Sequence, residues 1–311
     1  MSGQSPQNII TENATAVNDL IEWDLQNNNG FDSVLPILSL REISRYALRG
    51  GKKLRSSIVL SLCDNPHFVL FVEQVHCASL IVDDLPSMDN DTERRGEPTV
   101  HCKYGAQRAQ LAAYNLSVVA MAHFSEGYYV AKSRYSQKDA DYLYKTLHGE
   151  ISNSLGSTGI CGGQLLDLLV CQDDTLRNSN PREGRQLIMQ LVRMKTGCLF
   201  SLSFLLGWVG RGGSVRALDE IKEAGYCFGT CYQIIDDLQD AESDTKKNGG
   251  YNNVCHYYSH NEIIDLYREQ MATFTRAATK YKLWNQTIEA LYSYFNNTFK
   301  RALSSQPQPS Y

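Results

Sequence analysis

Apolar residues recur at spacings of three and four through most of the chain. This spacing places them on one face of an α-helix, where they can pack against a neighbouring element. The long alternation of β-branched and polar residues that is typical of strands is missing from these stretches. The pattern therefore predicts an all-α protein. The clearest helical segments are VEQVHCASLIVDDL, AQLAAYNLSVVAMAHF, GGQLLDLLV, QLIMQLVRMKTGCLFSLSFLLG and EAGYCFGTCYQIIDDLQD.

The domain organisation follows from length and composition. A chain of 311 residues, 42% of them hydrophobic, can bury one substantial core. It contains only 8 prolines and no linker-like stretch before SSQPQPSY. We therefore predict a single domain over residues 13–303, with a disordered N-terminus (1–12) and a disordered tail (304–311).

Charge and cysteine usage exclude several classes of protein. The formal net charge of −4 gives no basic footprint for nucleic acid. The longest apolar run, CLFSLSFLLGWVG, is too short and interrupted for a transmembrane segment. The 9 cysteines form no CxxC pair, which favours free thiols in a reducing compartment. With neither a secretory apolar region nor an Arg-rich transit segment, we expect a cytoplasmic location.

Two aspartate clusters carry the strongest chemical signal. The first, in LIVDDLPSMDND, supplies Asp83, Asp84 and Asp89; the second, in QIIDDLQD, supplies Asp236, Asp237 and Asp240. Each follows an apolar run, where carboxylates are costly to bury. Grouped carboxylate oxygens are ligands for hard cations such as Mg²⁺. We therefore interpret all six aspartates as metal ligands or their close supports.

The two clusters predict different local structures. At about 100° per residue, Asp236 and Asp240 lie on one helical face with Asp237 beside them. Asp83 and Asp89 are too far apart for one face, and Pro86 opposes continuation of the helix. The first cluster is therefore expected where a helix ends and its loop folds back. If the clusters oppose each other across a cavity, several bound cations would require a bridging anion, and a diphosphate fits.

Basic residues near the clusters favour a phosphate ligand. Arg94 and Arg95 follow the first cluster, GGKKLR supplies Lys52 and Arg55, and Lys195 with Thr196 interrupts an apolar stretch. Each feature alone is more typical of a solvated surface, and it is their combination that favours a phosphate ligand.

The order of these motifs resembles the trans-isoprenyl diphosphate synthases, an all-helical family that includes farnesyl and geranylgeranyl diphosphate synthases. The resemblance implies a bundle of antiparallel helices around a central cavity, the isoprenoid synthase type, and a homodimer. Six segments match in family order, and a chance match of all six is remote. They are GGKKLR, HCASLIVDDLPSMDND, RRGEPTVH, GGQLLDL, KTG and QIIDDLQD.

The resemblance implies a Mg²⁺-dependent prenyltransferase, with Mn²⁺ as the alternative ion. It would condense isopentenyl diphosphate with allylic diphosphates, namely dimethylallyl, geranyl and farnesyl diphosphate. Arg94, Lys195 and Lys247 would bind the allylic diphosphate, with Lys246 as the alternative to Lys247. Lys52, Arg55, His76 and Arg95 would bind isopentenyl diphosphate. Thr196 and Gln233 would line the surroundings of the carbocation, while Gln164 and Asp167 would support the metal ligands.

Residue size before Asp83 predicts the product length. The growing tail must enter an apolar shaft that begins about one turn before Asp83, where Ala78 and Ser79 are both small. With the expanded first motif, this resembles geranylgeranyl diphosphate synthases. Tyr114 or Phe124 could instead form the floor of the shaft.

Other functions remain open, and the chain departs from the family pattern in places. Farnesyl or geranyl diphosphate synthase, a noncatalytic regulatory subunit, a terpene cyclase and a structural protein are the alternatives. Ser56 stands where the family has proline, and GGYNNVCHYY replaces the usual Lys-Thr-Tyr segment after the second cluster. The regulatory subunit would typically lose one metal motif, and the cyclase has no need of GGKKLR.

Overall fold

A computed structural model describes residues 4–31, 39–173 and 180–305, with the side chains of residues 247 and 248 excepted. Helices dominate these residues. The longer helices are α1 (Pro6–Asn27), α2 (Leu40–Leu48), α3 (Leu54–Leu62), α4 (Pro66–Asp83), α5 (Val100–Tyr104), α6 (Ala106–Lys132), α7 (Gln137–Leu155), α8 (Ile160–Gln172), α9 (Pro181–Val192), α10 (Cys198–Gly210), α11 (Leu218–Asn248), α12 (His260–Lys280) and α13 (Gln286–Ser305). One short antiparallel ribbon pairs β1 (Glu93–Arg94) with β2 (Glu97–Pro98).

The chain divides into two compact units, residues 1–144 with 206–215 and residues 145–205 with 216–311. In the first unit, α4 packs mainly against α6. The ring of Phe124 on α6 lies 6.3 Å from Phe68 and 5.7 Å from Phe71, and all three are fully buried. At Gly127 an added Cβ would lie 2.5 Å from the Phe68 ring, so glycine permits the close approach of the two helices.

In the second unit, α11 packs mainly against α12. Its core is a cluster of fully buried aromatic rings centred on Phe228 of α11. The Phe228 centroid lies 4.5 Å from both Phe274 and Phe295. This apolar face of α11 leaves the opposite side of the helix for the polar residues of the second cluster.

The all-α prediction is confirmed, but the termini differ from expectation. Residues 6–12 are helical rather than disordered, because Ser5 caps α1 by accepting from the Asn8 amide and Pro6 occupies its first turn. At the other end, residues 304 and 305 complete α13, and the rest of the expected tail lies outside the described residues. The boundaries 13–303 stay a prediction.

One described stretch, residues 137–172, satisfies the length and hydropathy criteria for a membrane span, with 33% of its window buried. This is weak evidence, because core helices of soluble proteins satisfy the same criteria. The stretch also comprises two helices, since α7 ends at Leu155 and α8 begins at Ile160. All nine cysteines are free thiols.

Candidate active site

The first aspartate cluster lies at the C-terminal end of α4, as the sequence predicts. Asp83 is the last helical residue and Asp84 is the C-cap. The loop then returns, since the Asp89 amide donates to the Asp83 carbonyl at 2.9 Å and Asn90 takes a positive φ of 54°. The backbone therefore brings Asp83 and Asp89 to the same end of the helix.

The third member, Asp84, is buried, with 3% exposure. The Arg94 guanidinium donates to both of its carboxylate oxygens, with Nε at 2.9 and 2.8 Å. Burial acts to lower the pKa of Arg94, but its hydrogen bonds and ion pair with Asp84 raise it overall. Because Arg94 engages both oxygens, Asp84 acts in this structure as a support for the loop rather than as an open metal ligand.

Arg95 occupies the tip of the turn between β1 and β2. Arg95 and Gly96 both have positive φ, 58° and 78°, which is the type I′ geometry that suits a two-residue hairpin. Arginine is uncommon in this conformation. The turn directs Arg95 away from Arg94, so that its Nη1 donates to the Arg49 carbonyl at 2.9 Å. Two adjacent arginines therefore reach different surroundings.

The two lysines of GGKKLR also have different environments. Lys53 is buried and forms an ion pair with Glu73 at 2.8 Å, while its ammonium also donates to the Leu48 carbonyl. Burial alone would raise the pKa of Glu73, but Lys53 lowers it below its ordinary value. Ser56 donates to the other Glu73 oxygen at 2.7 Å. This buried network leaves Lys52 exposed at the surface of the loop.

Sequence reasoning missed Lys53 and Glu73. Their role as a buried ion pair is visible only in the structure, since Glu73 in the sequence is typical of a surface residue of a helix. Ser56, noted only as a departure from the family's proline, supplies a hydrogen bond that proline lacks.

Arg55 and His76 meet, as expected for residues of one site. The Arg55 Nη1 lies 3.2 Å from the His76 Nε2. A guanidinium can only donate, so Nε2 accepts and the imidazole is neutral with its proton on Nδ1. Burial and the charges of Arg55 and Arg95 lower the pKa of His76 well below its usual range.

The predicted length-determining residues lie on α4. Ala78 is buried, while Ser79 is half-buried and donates to the His76 carbonyl at 2.9 Å. Tyr114 is 58% exposed on α6 in the single chain, and its part in closing the shaft stays a prediction. Phe124 is fully buried in the α4–α6 packing.

The second cluster lies within α11, and its members differ in burial. Asp236 is half-buried, Asp240 is exposed, and Asp237 is only 4% exposed. Burial raises the pKa of Asp237 to about 7, and the charges of Asp236 and Asp244 act in the same direction. Burial and Asp244 also raise the pKa of Asp240. The cluster is thus a concentration of negative charge that a cation would relieve.

A directed hydrogen-bond chain holds Asp237. The Thr196 hydroxyl donates to the Gln233 carbonyl oxygen, and the Gln233 amide donates to the Asp237 Oδ1 at 2.7 Å. The Val254 amide donates to the other carboxylate oxygen at 2.8 Å. All three donors are neutral, so they orient Asp237 without neutralising it.

The segment GGYNNVCHYY folds back over the second cluster. Gly249 and Gly250 end α11 with φ of 78° and 74°, which reverses the chain. Asn253 then donates to the Asp237 carbonyl and to the Asp244 carboxylate, both at 2.8 Å. Asn253 was not recognised as a site residue, because its role depends on the glycine turn that returns it to the helix.

Lys195 and Thr196 lie in a π-helical turn, Arg193–Gly197, between α9 and α10. Such turns concentrate at functional sites. Lys195 forms an ion pair with Asp167 of α8, and Asn252 donates to the other Asp167 oxygen at 2.8 Å. At Gly163 an added Cβ would lie 2.7 Å from the backbone nitrogen of Lys195, so glycine allows α8 to approach the π-turn. The π-turn has no sequence signature.

Gln164 precedes Asp167 by three residues on α8, and it is buried at 7% exposure. Within the described residues, neither its amide nitrogen nor its carbonyl oxygen has a hydrogen-bond partner. A buried unsatisfied amide is costly and indicates a missing ligand or water. Lys247 falls outside the described side chains; its alternative, Lys246, is exposed and forms an ion pair with Glu242 at 2.6 Å.

The residues fit a hard divalent cation by donor chemistry, although no three acidic, His or Cys groups in the described ranges already converge as a metal cage. Mg²⁺ is commonly bound by one or two carboxylates together with substrate phosphates and water, so a complete protein cage is not required. The excess charge near Asp237 and the unsatisfied Gln164 are consistent with such a ligand.

Comparison with known proteins identifies the family. The sequence model of the polyprenyl synthetase family matches residues 38–253. This chain belongs to that family. Among curated relatives, a trans-prenyltransferase of African swine fever virus is 32% identical over 67% of this chain and 62% of its own length. Geranylgeranyl pyrophosphate synthase 4 of Arabidopsis thaliana is 30% identical over 71% of this chain and 59% of its own.

The chain therefore spans about three fifths of the length of the curated relatives it matches. Among solved structures, an FPP/GFPP synthase from Zymomonas mobilis aligns with a TM-score of 0.74 at 23% identity, covering 94% of this chain and 98% of that one. A geranyltransferase from Legionella pneumophila also gives 0.74, at 20% identity, covering 97% and 98%. These likenesses confirm the isoprenoid synthase fold.

Proposed function

We propose that this polyprenyl synthetase is a Mg²⁺-dependent trans-prenyltransferase that condenses isopentenyl diphosphate with allylic diphosphates. The observation that carries the proposal is that both aspartate clusters are intact and that each buries its second aspartate in an ordered hydrogen-bond network. A noncatalytic subunit has no need to maintain two such networks. The trans-prenyltransferase and synthase names of the curated relatives support the same reaction class.

The chemistry requires departure of a diphosphate from an allylic carbon. Bound Mg²⁺ would neutralise the leaving group and so lower the barrier to ionisation. Arg94 and Lys195, with Lys247 or Lys246, bind and orient the allylic diphosphate. The Thr196 hydroxyl donates a hydrogen bond to the Gln233 carbonyl oxygen, so its own oxygen lone pairs are left to face the developing carbocation.

The second substrate is assigned to the GGKKLR side of the first unit. Lys52, Arg55, His76 and Arg95 bind the diphosphate of isopentenyl diphosphate. The neutral His76 contributes its Nδ1 proton as a donor, since its Nε2 accepts from Arg55. After the new carbon–carbon bond forms, the released diphosphate takes the proton that the product loses.

The deciding experiment is a product assay. Purified protein is incubated with Mg²⁺, isopentenyl diphosphate and each allylic diphosphate in turn, and the products are separated by chromatography. Condensation products that disappear with EDTA support the proposal. Hydrocarbon formed without isopentenyl diphosphate would identify a cyclase, and an inert protein would contradict catalysis.

We propose geranylgeranyl diphosphate as the main product because Ala78 and Ser79 are small and Ala78 is buried. Ala78→Phe inserts a ring that close-packed surroundings cannot absorb, so the product should shorten to farnesyl or geranyl diphosphate while total condensation persists. Ser79→Ala is the matched control. A fifteen-carbon product from the wild type, or an unchanged distribution in Ala78→Phe, would contradict this assignment.

A homodimer is also proposed, supported by an exposed apolar stripe on α6. Leu111, Tyr114 and Val118 lie on one helical face and are 55%, 58% and 70% exposed. Light scattering should give twice the chain mass of 35.0 kDa. Val118→Glu should yield monomer, whereas Ser117→Glu on the adjacent face should not. A monomeric wild type would refute the dimer. The cytoplasmic location stays a prediction.

A further inference from the structure

A polar cluster with two histidines lies inside the first unit, where α4 packs against both α1 and α6. Asp24 of α1 is 1% exposed and His123 of α6 is 5% exposed. The His123 Nε2 lies 2.9 Å from the Asp24 Oδ1. On its other side, the His123 Nδ1 lies 3.1 Å from the Nδ1 of His67, the second residue of α4. We call these three residues the Asp-His-His cluster.

The Asp-His-His cluster is remote from the proposed active site. His67 stands at the N-terminal end of α4, whereas Asp83 is the last residue of the same helix. At about 1.5 Å per residue, the helix separates these two positions by about 24 Å. The proposed condensation therefore gives no reason for two histidines and a carboxylate to meet here.

The hydrogen bonds of the cluster assign its protons. An ionised carboxylate only accepts, so His123 donates from Nε2 to Asp24. A neutral His123 then has a lone pair on Nδ1, and His67 donates to it from its own Nδ1. One proton therefore lies between two imidazole nitrogens, and each of these nitrogens is a metal ligand once that proton leaves.

The charge of the cluster favours a cation. The described donors to the Asp24 carboxylate are Gln74 at 2.6 Å, Asn28 at 3.0 Å and His123. All three are neutral in this tautomer, and a buried carboxylate without a positive partner is costly. A metal ion bound to the far side of the His123 ring would supply the missing positive charge.

The spacing of the two nitrogens suits a transition metal. Zinc–nitrogen bonds of about 2.0–2.1 Å place two ligating nitrogens about 2.9–3.6 Å apart at coordination angles of roughly 90–120°. The 3.1 Å between the two Nδ1 atoms falls in this range. Asp24 accepts from the other nitrogen of His123, which is the contact that orients a ligating histidine in metal centres.

The rest of the coordination shell is open. His67 is half-buried, so an ion can reach the pair from solvent. In the described ranges no third acidic, His or Cys group converges on the two imidazoles, so water would fill the other positions. Imidazole ligands suit Zn²⁺, Cu²⁺ and Ni²⁺, whereas Mg²⁺ prefers oxygen. The pair should therefore select against the ion expected at the aspartate clusters.

We propose that His67 and His123 form a binding site for Zn²⁺ or a similar transition-metal ion, with Asp24 as the support that orients His123. The ion replaces the proton between the two Nδ1 atoms. His67 takes up a proton from water on Nε2 as it loses the one on Nδ1, so its ring stays neutral. The bound ion joins α4 to α6 and, through Asp24, to α1. This site does not depend on the proposed function.

The test is calorimetric titration of the full chain with Zn²⁺ in excess Mg²⁺, which competes for carboxylate sites. His67→Gln should weaken one Zn²⁺ site at least tenfold, because glutamine offers no ligating nitrogen. The matched control is His101→Gln combined with Cys102→Ser, which removes a different imidazole and the thiol 3.4 Å from it. This control should keep the site. Circular dichroism verifies that each variant is folded.

Asp24→Asn tests the support of His123. It should weaken Zn²⁺ binding about 10–100-fold, the usual cost of losing a carboxylate that orients a ligating histidine. Because Asp24 is buried, this variant is informative only if it folds; His67→Gln, at a half-buried position, decides the proposal by itself.

Thermal unfolding gives a second measurement. Zn²⁺ should raise the unfolding midpoint of the wild type more than that of His67→Gln, because an ion that binds only the folded state stabilises it. Equal Zn²⁺ titrations of the wild type and His67→Gln would overturn the proposal. Loss of the site in the His101 and Cys102 variant instead of in His67→Gln would also overturn it. The condensation assay succeeds or fails separately, since it requires neither histidine of the cluster.

Discussion

The two aspartate clusters each contain one buried carboxylate, and they surround it with different partners. In each cluster the second aspartate of the pair is buried, Asp84 at 3% and Asp237 at 4% exposure. Asp84 has a cationic partner within the protein, because Arg94 engages both of its oxygens. Among the described residues, the hydrogen-bond donors to the Asp237 carboxylate are the neutral groups of Gln233 and Val254, and its pKa is raised to about 7.

The two clusters share an Asp-Asp motif, but this difference in partners gives them different roles. The first cluster is internally neutralised at its buried member, so its loop can be ordered before any cation binds. The second cluster retains a buried charge that external positive charge would stabilise. We infer that the proposed metal would stabilise the second cluster more than the first, although both clusters offer exposed or half-buried aspartates for the proposed reaction.

The largest expected effect is on turnover when one of these accessible aspartates is removed. Asp83→Ala and Asp236→Ala should each lower kcat at least about a hundredfold, because each removes a group that helps neutralise developing charge. Steady-state assays measure the loss. Glu93→Ala and Glu242→Ala, which remove exposed carboxylates beside each cluster, are the controls and should stay near the wild-type rate. Near-normal turnover in either aspartate variant would refute the metal assignment.

In the absence of metal, neutralising Asp84 and neutralising Asp237 should change the free energy of unfolding in opposite directions. Asp84→Asn leaves Arg94 without its carboxylate and should destabilise the protein by about 1.5–3 kcal/mol. Asp237→Asn removes a charge that burial disfavours, and one flip of the Gln233 amide restores its hydrogen bonds. It should stabilise by on the order of 1–3 kcal/mol at pH 8. Thermal unfolding in EDTA measures both, and a shared sign would break the comparison.

The pH dependence follows from the same aspartate. Its carboxyl binds a proton more readily in the folded state, since the pKa rises from 3.8 to about 7. The wild type without metal should therefore lose stability as pH rises from about 4 to about 7. The advantage of Asp237→Asn should grow over this window and be reversed by Mg²⁺. An advantage that is constant with pH would show that Asp237 is not the responsible group.

A smaller effect tests the segment that covers the second cluster. Asn253→Ala removes the hydrogen bonds to the Asp237 carbonyl and to Asp244, and should cost about 1–3 kcal/mol. Chemical denaturation measures the cost. Ser243→Ala is the control, because its exposed hydroxyl donates a local hydrogen bond to the Asp240 carbonyl one turn back. Equal stabilities of the two variants would mean that the segment does not anchor α11.

The smallest effect concerns the two arginines beside the first cluster. Arg95→Ala should raise the Michaelis constant for isopentenyl diphosphate about tenfold, the loss of roughly one charged hydrogen bond. Arg94→Ala should act mainly on the allylic substrate. Their divergent directions from the β-turn support this division. Equal effects of each variant on both constants would contradict it.

Much of this arrangement could be predicted from the residues. The helical spacing, the carboxylate pairs after apolar runs and Pro86 after Asp84 locate the helices and the loop that folds back. These features are local, because periodicity, proline and clustered charge act within a few residues of one another. For the same reason the ion pair of Lys195 with Asp167 was not predicted, because the two residues lie on different helical segments.

What the sequence by itself determined was the inventory: an all-α chain, two carboxylate clusters and the basic residues that accompany them. Tertiary structure decided which members of that inventory are buried. It pairs Lys53 with Glu73 and leaves Lys52 exposed. It also pairs Arg94 with Asp84, and a glycine turn brings the Asn253 amide to the Asp237 carbonyl. Burial and partner choice depend on residues distant in sequence, and they set the charge state of a carboxylate through desolvation and neighbouring charge.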